Sequence, residues 1–248
     1  MKLAGIDIGS RSIELIVLEN GHVIHSKQAD SGYNPIERVK ELTADISFDK
    51  IMATGYGRSI VEVAFDYPTV TEIKAYGAGA TALFPGVRSV LDIGGQDTKV
   101  ISINEMGKVI KFEMNDKCAA GTGKFLEMMA TTLGFDLPTL GPEALEGTEG
   151  IEINSMCAVF AESEVTSLLA KGCQRSDIAL AIHQSVCKRA VGMLRRQNIS
   201  TPLMFAGGVA NNSCMIQLLK DELGESIIIP EKPHFVGAHG AAILAGLS

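Results

Sequence analysis

Two cysteines of this 248-residue chain stand where a turn gives way to a helical pattern. Cys118 opens Cys118-Ala119-Ala120-Gly121-Thr122-Gly123-Lys124. Cys157 follows 39 residues later, just before Phe160-Ala161-Glu162-Ser163-Glu164-Val165. Thiols so placed are candidates for metal ligation or redox work. Upstream lie two Asp-Ile-Gly turns, Asp7-Ile8-Gly9-Ser10-Arg11-Ser12 and Asp92-Ile93-Gly94-Gly95-Gln96-Asp97. Glycines such as Gly9, Gly94 and Gly95 let backbone approach an anion closely, and turn amides and the hydroxyls of Ser10 and Ser12 donate to phosphate oxygens. A carboxylate at a strand end, Asp7 or Asp92, can hold Mg²⁺ directly or through water. One Asp-x-Gly alone is also a common turn. Two of them facing each other would grip a polyphosphate from both sides. A nucleotide site with two positioned thiols points to ATP coupled to metal-centred or redox chemistry.

The elements that must position these residues come in a repeat. Setting Asp7 against Asp92 aligns Asp7-Ile8-Gly9-Ser10 with Asp92-Ile93-Gly94-Gly95, and Ile16 with Ile101, at an offset of 85. After one inserted residue, Gly21-His22-Val23-Ile24 falls on Gly107-Lys108-Val109-Ile110. Each copy reads as strand, Gly turn, strand, Gly turn, strand, and Glu19-Asn20-Gly21 is a hairpin signal. Helical patterns follow over residues 35–43, 73–83, 122–133, 176–197, 211–223 and 236–247. Short strands are expected at 203–206 and 227–229. Residues 138–150, rich in Gly, Pro and Glu, read as an exposed excursion. The sum is an α/β chain of two β-β-β-α-β-α halves around a cleft.

A third glycine turn, Gly207-Gly208-Val209-Ala210-Asn211-Asn212, joins a buried strand to a helix. Gly207 and Gly208 there would let a base or ribose lie against backbone, with Asn211 capping the helix. A plain strand-to-helix turn with an Asn cap reads equally well from this piece alone. Two other motifs fail. Gly121-Thr122-Gly123-Lys124 resembles a P-loop tail, but Cys118 stands where that motif needs Gly, and Phe125 where it needs Ser or Thr. Gly77-Ala78-Gly79-Ala80-Thr81-Ala82 lies inside a helical pattern with no strand leading into it.

Composition sets the outer bounds. With 46% apolar residues the chain can form a sizeable core. A net charge of −7 argues against a dedicated nucleic-acid binder. No apolar run approaches ~20 residues, so no membrane span is expected. The N-terminus reads as a strand rather than a signal peptide. Five unevenly spaced cysteines do not form a disulfide framework, and a reduced, cytoplasmic protein is the expectation.

The chain resembles the activator ATPases of 2-hydroxyacyl-CoA dehydratases and the ATPase subunits of benzoyl-CoA reductase. The pieces that carry the resemblance are Gly5-Ile6-Asp7-Ile8-Gly9-Ser10, Ala53-Thr54-Gly55-Tyr56-Gly57-Arg58, Asp92-Ile93-Gly94-Gly95-Gln96-Asp97, Met114-Asn115-Asp116-Lys117-Cys118-Ala119-Ala120-Gly121-Thr122-Gly123, Phe160-Ala161-Glu162-Ser163-Glu164-Val165 and Gly207-Gly208-Val209-Ala210. The resemblance implies the duplicated actin-like ATPase fold of acetate and sugar kinases, heat-shock chaperones and actin, with the nucleotide cleft between its halves. The halves would be residues 1–84, completed by the C-terminal helix 236–248, and residues 85–235, which carry the cluster cysteines.

The resemblance further implies a homodimer with one 4Fe-4S cluster, to which each subunit gives Cys118 and Cys157. Helix N-termini aimed at the cluster would favour its negative charge. Cys173, Cys187 and Cys214 read as small buried hydrophobes. The implied activity is ATP-dependent one-electron donation. Ferredoxin or flavodoxin would supply the electron, and an iron–sulfur dehydratase or reductase component would receive it. Asp7 and Asp92 are the Mg²⁺ candidates, and Gln96 or Asp97 the group that orients the attacking water. Two departures stand out. Arg11 occupies a position where many relatives have Thr, and either contacts phosphate or points to solvent. Tyr76 stands where many have His. A small-molecule kinase of the same superfamily and an ATP-gated binding module remain open. A kinase has no evident use for the two thiols.

Overall fold

Asn20 and Gly21 both take positive φ, 53° and 81°, as a two-residue hairpin turn matched to right-twisted strands requires. This closes the first hairpin of a chain whose computed structural model describes residues 1–155, 157–224 and 227–247. The first elements are β1 (Lys2–Ile8), β2 (Ser12–Glu19), β3 (His22–Asp30), α1 (Pro35–Thr43), β4 (Lys50–Thr54), α2 (Arg58–Phe65) and α3 (Glu72–Leu83). Then follow β5 (Ser89–Ile93), β6 (Thr98–Ile103), β7 (Val109–Asn115), α4 (Gly123–Leu133), α5 (Leu137–Leu145), α6 (Ala158–Ala170) and α7 (Arg175–Arg196). The chain ends with β8 (Leu203–Ala206), α8 (Ser213–Leu223), β9 (Ile227–Ile228) and α9 (Val236–Ala245). The strands form two sheets, ordered β3-β2-β1-β4 and β7-β6-β5-β8-β9. One compact unit holds Met1–Val90, Ile101–Phe112 and Pro230–Ser248, the other Leu91–Val100 and Glu113–Ile229. Among the described residues no helix is long and apolar enough to cross a membrane.

In the first unit β1 runs antiparallel to β2 and parallel to β4, with Asp7 opposite both Glu14 and Thr54. The two-residue period of β2 feeds two cores. Ile13, Leu15 and Val17 meet Ile6, Val39, Leu42 and Val61 on one side, so α1 and α2 cover that face. Ile16 and Leu18 meet Phe235, Ala238 and Ala242 on the other, under α9. β2 is therefore apolar on both faces between Glu14 and Glu19, and each fully buried aliphatic side chain contributes about 1.5–3 kcal/mol. The small residues of α9 have a steric reason: a Cβ on Gly5 of β1 would overlap the α9 backbone at Ala238 and Ala242.

The second unit buries Leu91 and Ile93 of β5 with Phe205 of β8 beneath α4, α5, α7 and α8. Phe125, Leu126, Met129 and Leu133 line the inner face of α4, and Gly134 ends that helix at φ 71°. The segment 138–150 is largely exposed, as expected, but it is not an irregular excursion. Its first part is α5, with Leu140, Gly141 and Ala144 buried. Asp136 at the N-cap and Pro138 in the first turn start a helix, and the spacing of Leu140 and Ala144 puts both on one face.

Candidate functional site

At the first turn the Gly9 N–H donates to Ser12 O at 3.0 Å, and Ser31 Oγ donates to Gly9 O at 2.7 Å. Asp7 ends β1 and is 4% exposed. Glycines wall its carboxylate. A Cβ at Gly55, whose φ is 96°, would stand 2.5 Å from Asp7 Oδ1, and one at Gly237 would overlap Oδ2 while lying 2.9 Å from Tyr76 Cε2. Tyr76 thus belongs to the surroundings of Asp7. Ser12 Oγ and Gln28 Nε2 both donate to Glu14, the residue paired with Asp7 across the hairpin. Ser10 is half-buried at the turn, and Arg11 lies on the surface 3.6 Å from Asp30.

The second turn repeats this geometry with different electrostatics. The Gly94 N–H donates to Asp97 O at 2.9 Å. Gly207, at φ 84°, does for Asp92 what Gly55 does for Asp7: a Cβ there would overlap Asp92 Oδ1 and lie 2.5 Å from Ile93 O. The repeat therefore reaches past the aligned hairpins to the strand-end glycines after β4 and β8. Where the first copy has Glu14, the second has Lys99. Its ammonium lies 3.1 Å from Asp92 Oδ2 and 2.7 Å from Asp97 Oδ1, with Asp92 and Lys99 both almost wholly buried. Sequence reasoning missed Lys99. Gln96 is exposed at the tip of the turn, beside half-buried Gly95.

The second turn is tied to the Cys118 loop. The Gly123 and Lys124 N–H groups, at the start of α4, donate to Gly94 O and Gly95 O at 2.8 Å each. Thr98 Oγ1 donates to Gly121 O at 2.7 Å. The failed P-loop match thus marks a helix N-terminus whose first donors are already used by the Asp-Ile-Gly turn.

At the third turn Asn211 is not the cap of α8. Asn212 is, its Oδ1 accepting from the Met215 N–H at 3.0 Å, while Asn211 Nδ2 donates back to Gly208 O. The short helical turn Gly208–Asn211 delays the start of α8 to Ser213, which shifts the cap by one residue. Asn212 Nδ2 also meets His183 Nε2 at 3.0 Å, and His183 Nδ1 faces Ala179 O at 2.7 Å. A carbonyl can only accept, so Nδ1 carries the proton and Nε2 accepts from the amide. Burial pushes the His183 pKa down. No sequence signal separates this histidine from a solvent-facing one on a long helix.

Cys118 and Cys157 each precede a helical turn. Cys118 caps the turn Ala119–Gly121 and is half-buried, whereas Cys157 caps α6 and is exposed. The Asn115 side chain holds the Cys118 backbone at both ends, donating to its O at 3.0 Å and accepting from its N–H at 3.2 Å. Glu164 of α6 accepts from the Asn154 N–H, the Ser155 N–H and Ser155 Oγ. Burial would raise the Glu164 pKa, but these hydrogen bonds outweigh it and hold the carboxyl below its usual range. The other cysteines differ. Cys187 and Cys214 are buried, and burial pushes both thiols up to about 12. Cys173 is half-buried rather than buried and packs against the same core as Cys118, but Gln174, not Cys173, caps the helix that follows. Among the described residues no three His, Cys, Asp or Glu side chains gather as a metal site.

Two sheets carrying matched Asp-Ile-Gly turns define a duplicated actin-like ATPase fold. A ROK family glucokinase from Streptomyces griseus, 13% identical, shares that fold at a TM-score of 0.62 over 100% of both chains. The chain itself belongs to the BadF/BadG/BcrA/BcrD ATPase family, whose profile matches residues 4–245, and it is an ATPase. It is 38% identical over 250 residues to the (R)-2-hydroxyglutaryl-CoA dehydratase activating ATPase of Acidaminococcus fermentans, covering 97% of this chain and 95% of that one. The activator of the 2-hydroxyisocaproyl-CoA dehydratase from Clostridium difficile, solved with bound ADPNP, is 35% identical and superposes at a TM-score of 0.90, covering 99% and 94% of the two chains.

Proposed function

We propose that this ATPase is the reductive activator of an iron–sulfur dehydratase or related reductase component, working as a homodimer that shares one 4Fe-4S cluster. When bound, such a cluster supplies one-electron transfer at low potential. The observation that carries the reading is the division among the cysteines: Cys118 and Cys157 each cap the start of a helical turn without being buried, Cys187 and Cys214 are buried with thiols near pKa 12, and Cys173, half-buried like Cys118, caps no helix. A cubane takes four thiolates. Two helix-capping thiols per chain fit one shared across a twofold axis. Relatives named as dehydratase activators, matched along nearly their whole length, support the same partner class.

In this reading the turns at 7–12 and 92–97 hold the ATP phosphates through Gly9, Ser10, Ser12, Gly94 and Gly95. Asp7 and Asp92 serve Mg²⁺, Asp92 sharing its charge with Lys99. Gln96 at the exposed tip, or Asp97 beside it, orients the water. Gly207, Gly208 and Asn211 shape the backbone for the nucleoside. The bonds from Gly123, Lys124 and Thr98 make the Cys118 loop follow any shift of the second turn. The exposed side chains of Val159 and Phe160 set an apolar rim beside Cys157, suited to a protein partner. A reduced ferredoxin or flavodoxin is the expected donor.

The test follows the γ-phosphate. Anaerobically purified protein is given labelled ATP, a reductant, and either a purified dehydratase component or a panel of sugars. Release of inorganic phosphate, with reduction of the dehydratase component only when ATP and reductant are both present, is the expected result. Transfer of the label to a sugar by an iron-free protein would establish a kinase instead.

A further inference from the structure

Cys118 and Cys157 are separated by two helices in sequence, yet one side chain bonds to the loop of the second and runs close by the loop of the first. Arg189 of α7 donates from Nη2 to Ser155 O at 3.0 Å, two residues before Cys157. Its Nη1 is fixed by Ser185 Oγ at 2.6 Å and by Ser185 O at 3.3 Å. Its stem passes the Cys118 loop: a Cβ at Gly121 would lie 3.6 Å from Arg189 Cδ and 3.9 Å from Arg189 Cβ. Among the described residues Asn115 bonds to the Cys118 loop and Glu164 to the Cys157 loop, and neither reaches the other.

We propose that Arg189 is a positioning residue that sets how the two cysteine loops of one chain stand relative to each other. This rests on the cluster reading above. Ligands from distant segments need their spacing fixed by an outer contact, or each loop settles independently. A guanidinium suits the task, because its planar fork donates in two directions while its stem packs. α7 is a rigid base for it, a 22-residue helix with thirteen of those residues buried. The stem lies close enough that a Cβ at Gly121 would come into ordinary van der Waals contact with it. Gly121 O also accepts from Thr98, the first residue of β6 after the second turn, so Arg189 passes the Cys118 loop where that loop is tied to the phosphate turn.

The test uses the full-length protein purified anaerobically, as wild type, Arg189→Met and Arg189→Lys. Methionine keeps the stem and removes every donor; lysine keeps the charge but cannot donate in two directions at fixed angles. Iron release to an excess of chelator is timed, with ADP affinity as the check on folding. Arg189→Met should release iron roughly 10–100-fold faster than wild type at unchanged ADP affinity. Arg189→Lys should fall between, and it is read alone should the methionine variant not fold. In iron-free protein, hydrogen–deuterium exchange should rise together over residues 118–122 and 153–158. Iron release at the wild-type rate, or a rise in exchange confined to one segment, would overturn the proposal. A wild-type protein that holds no iron would overturn the cluster reading, and this inference with it.

Discussion

Lys99 decides how the second turn behaves. It lies on β6, all six residues of which are buried. An ammonium there is tolerable only if paired, and it is paired twice, with Asp92 and Asp97. Breaking a buried pair by removing one partner costs more than the pair contributes, because the other charge stays behind. Lys99→Met should therefore destabilise the protein by about 3–5 kcal/mol in urea unfolding. A loss below ~1 kcal/mol would mean that the pair is not buried in solution. Asp92→Asn would lose stability along with turnover for the same reason, so it is a poorer probe of Mg²⁺ binding than the Mg²⁺ assignment alone implies. The sequence did not announce Lys99. Alternation in Thr98-Lys99-Val100 reads as a strand with a polar face, and nothing local says that both faces are covered. Arg11 was legible as a choice between phosphate and solvent, and in the structure it lies 3.6 Å from the surface carboxylate of Asp30.

At the scale of elements, local chemistry was readable wherever the signal was local. The Asn20-Gly21 turn, the Asn34–Pro35 start of α1 and the Gly134 stop of α4 all sit where residue type demands. α5 was hidden because Gly, Pro and Glu dominate the segment 138–150 that holds most of it, while only Leu140, Gly141 and Ala144 are buried. The α8 cap was misread by one residue because a short helical turn intervenes. That cap gives a pH prediction. Asn212 donates to a neutral, buried His183, whose folded pKa lies below the ordinary 6.5 through burial. The unfolded chain takes up the proton near 6.5 and the folded chain only lower. The contribution of this histidine is thus full above 6.5 and is lost as pH falls from there toward the folded value. His234 and His239 are depressed through burial too and share the trend. The urea midpoint should fall between about pH 7.5 and about pH 5.5, and His183→Gln should flatten the slope. An unchanged slope in His183→Gln would remove it as a contributor.

Over the whole molecule, the repeat was the most legible feature and the structure extends it. Gly55 and Gly207 stand in equivalent contact with Asp7 and Asp92, a correspondence invisible to alignment because the intervening segments differ in length. Links between distant segments were not legible. The tie from Thr98 to Gly121 and the reach of Arg189 to Ser155 depend on how helices pack, not on any pattern along the chain. These links gather the chemistry of the second unit around the Cys118 loop, and the account stands or falls on what that loop binds. The most direct measurement is iron, sulfide and native mass after anaerobic purification of wild type, Cys118→Ser, Cys157→Ser, and serine variants of Cys173, Cys187 and Cys214. Wild type should be a dimer with about four irons and four sulfides per two chains. Iron should be absent from either of the first two variants and full in the other three. Full iron in Cys118→Ser or Cys157→Ser, or an iron centre carried by a monomer, would contradict the cluster reading.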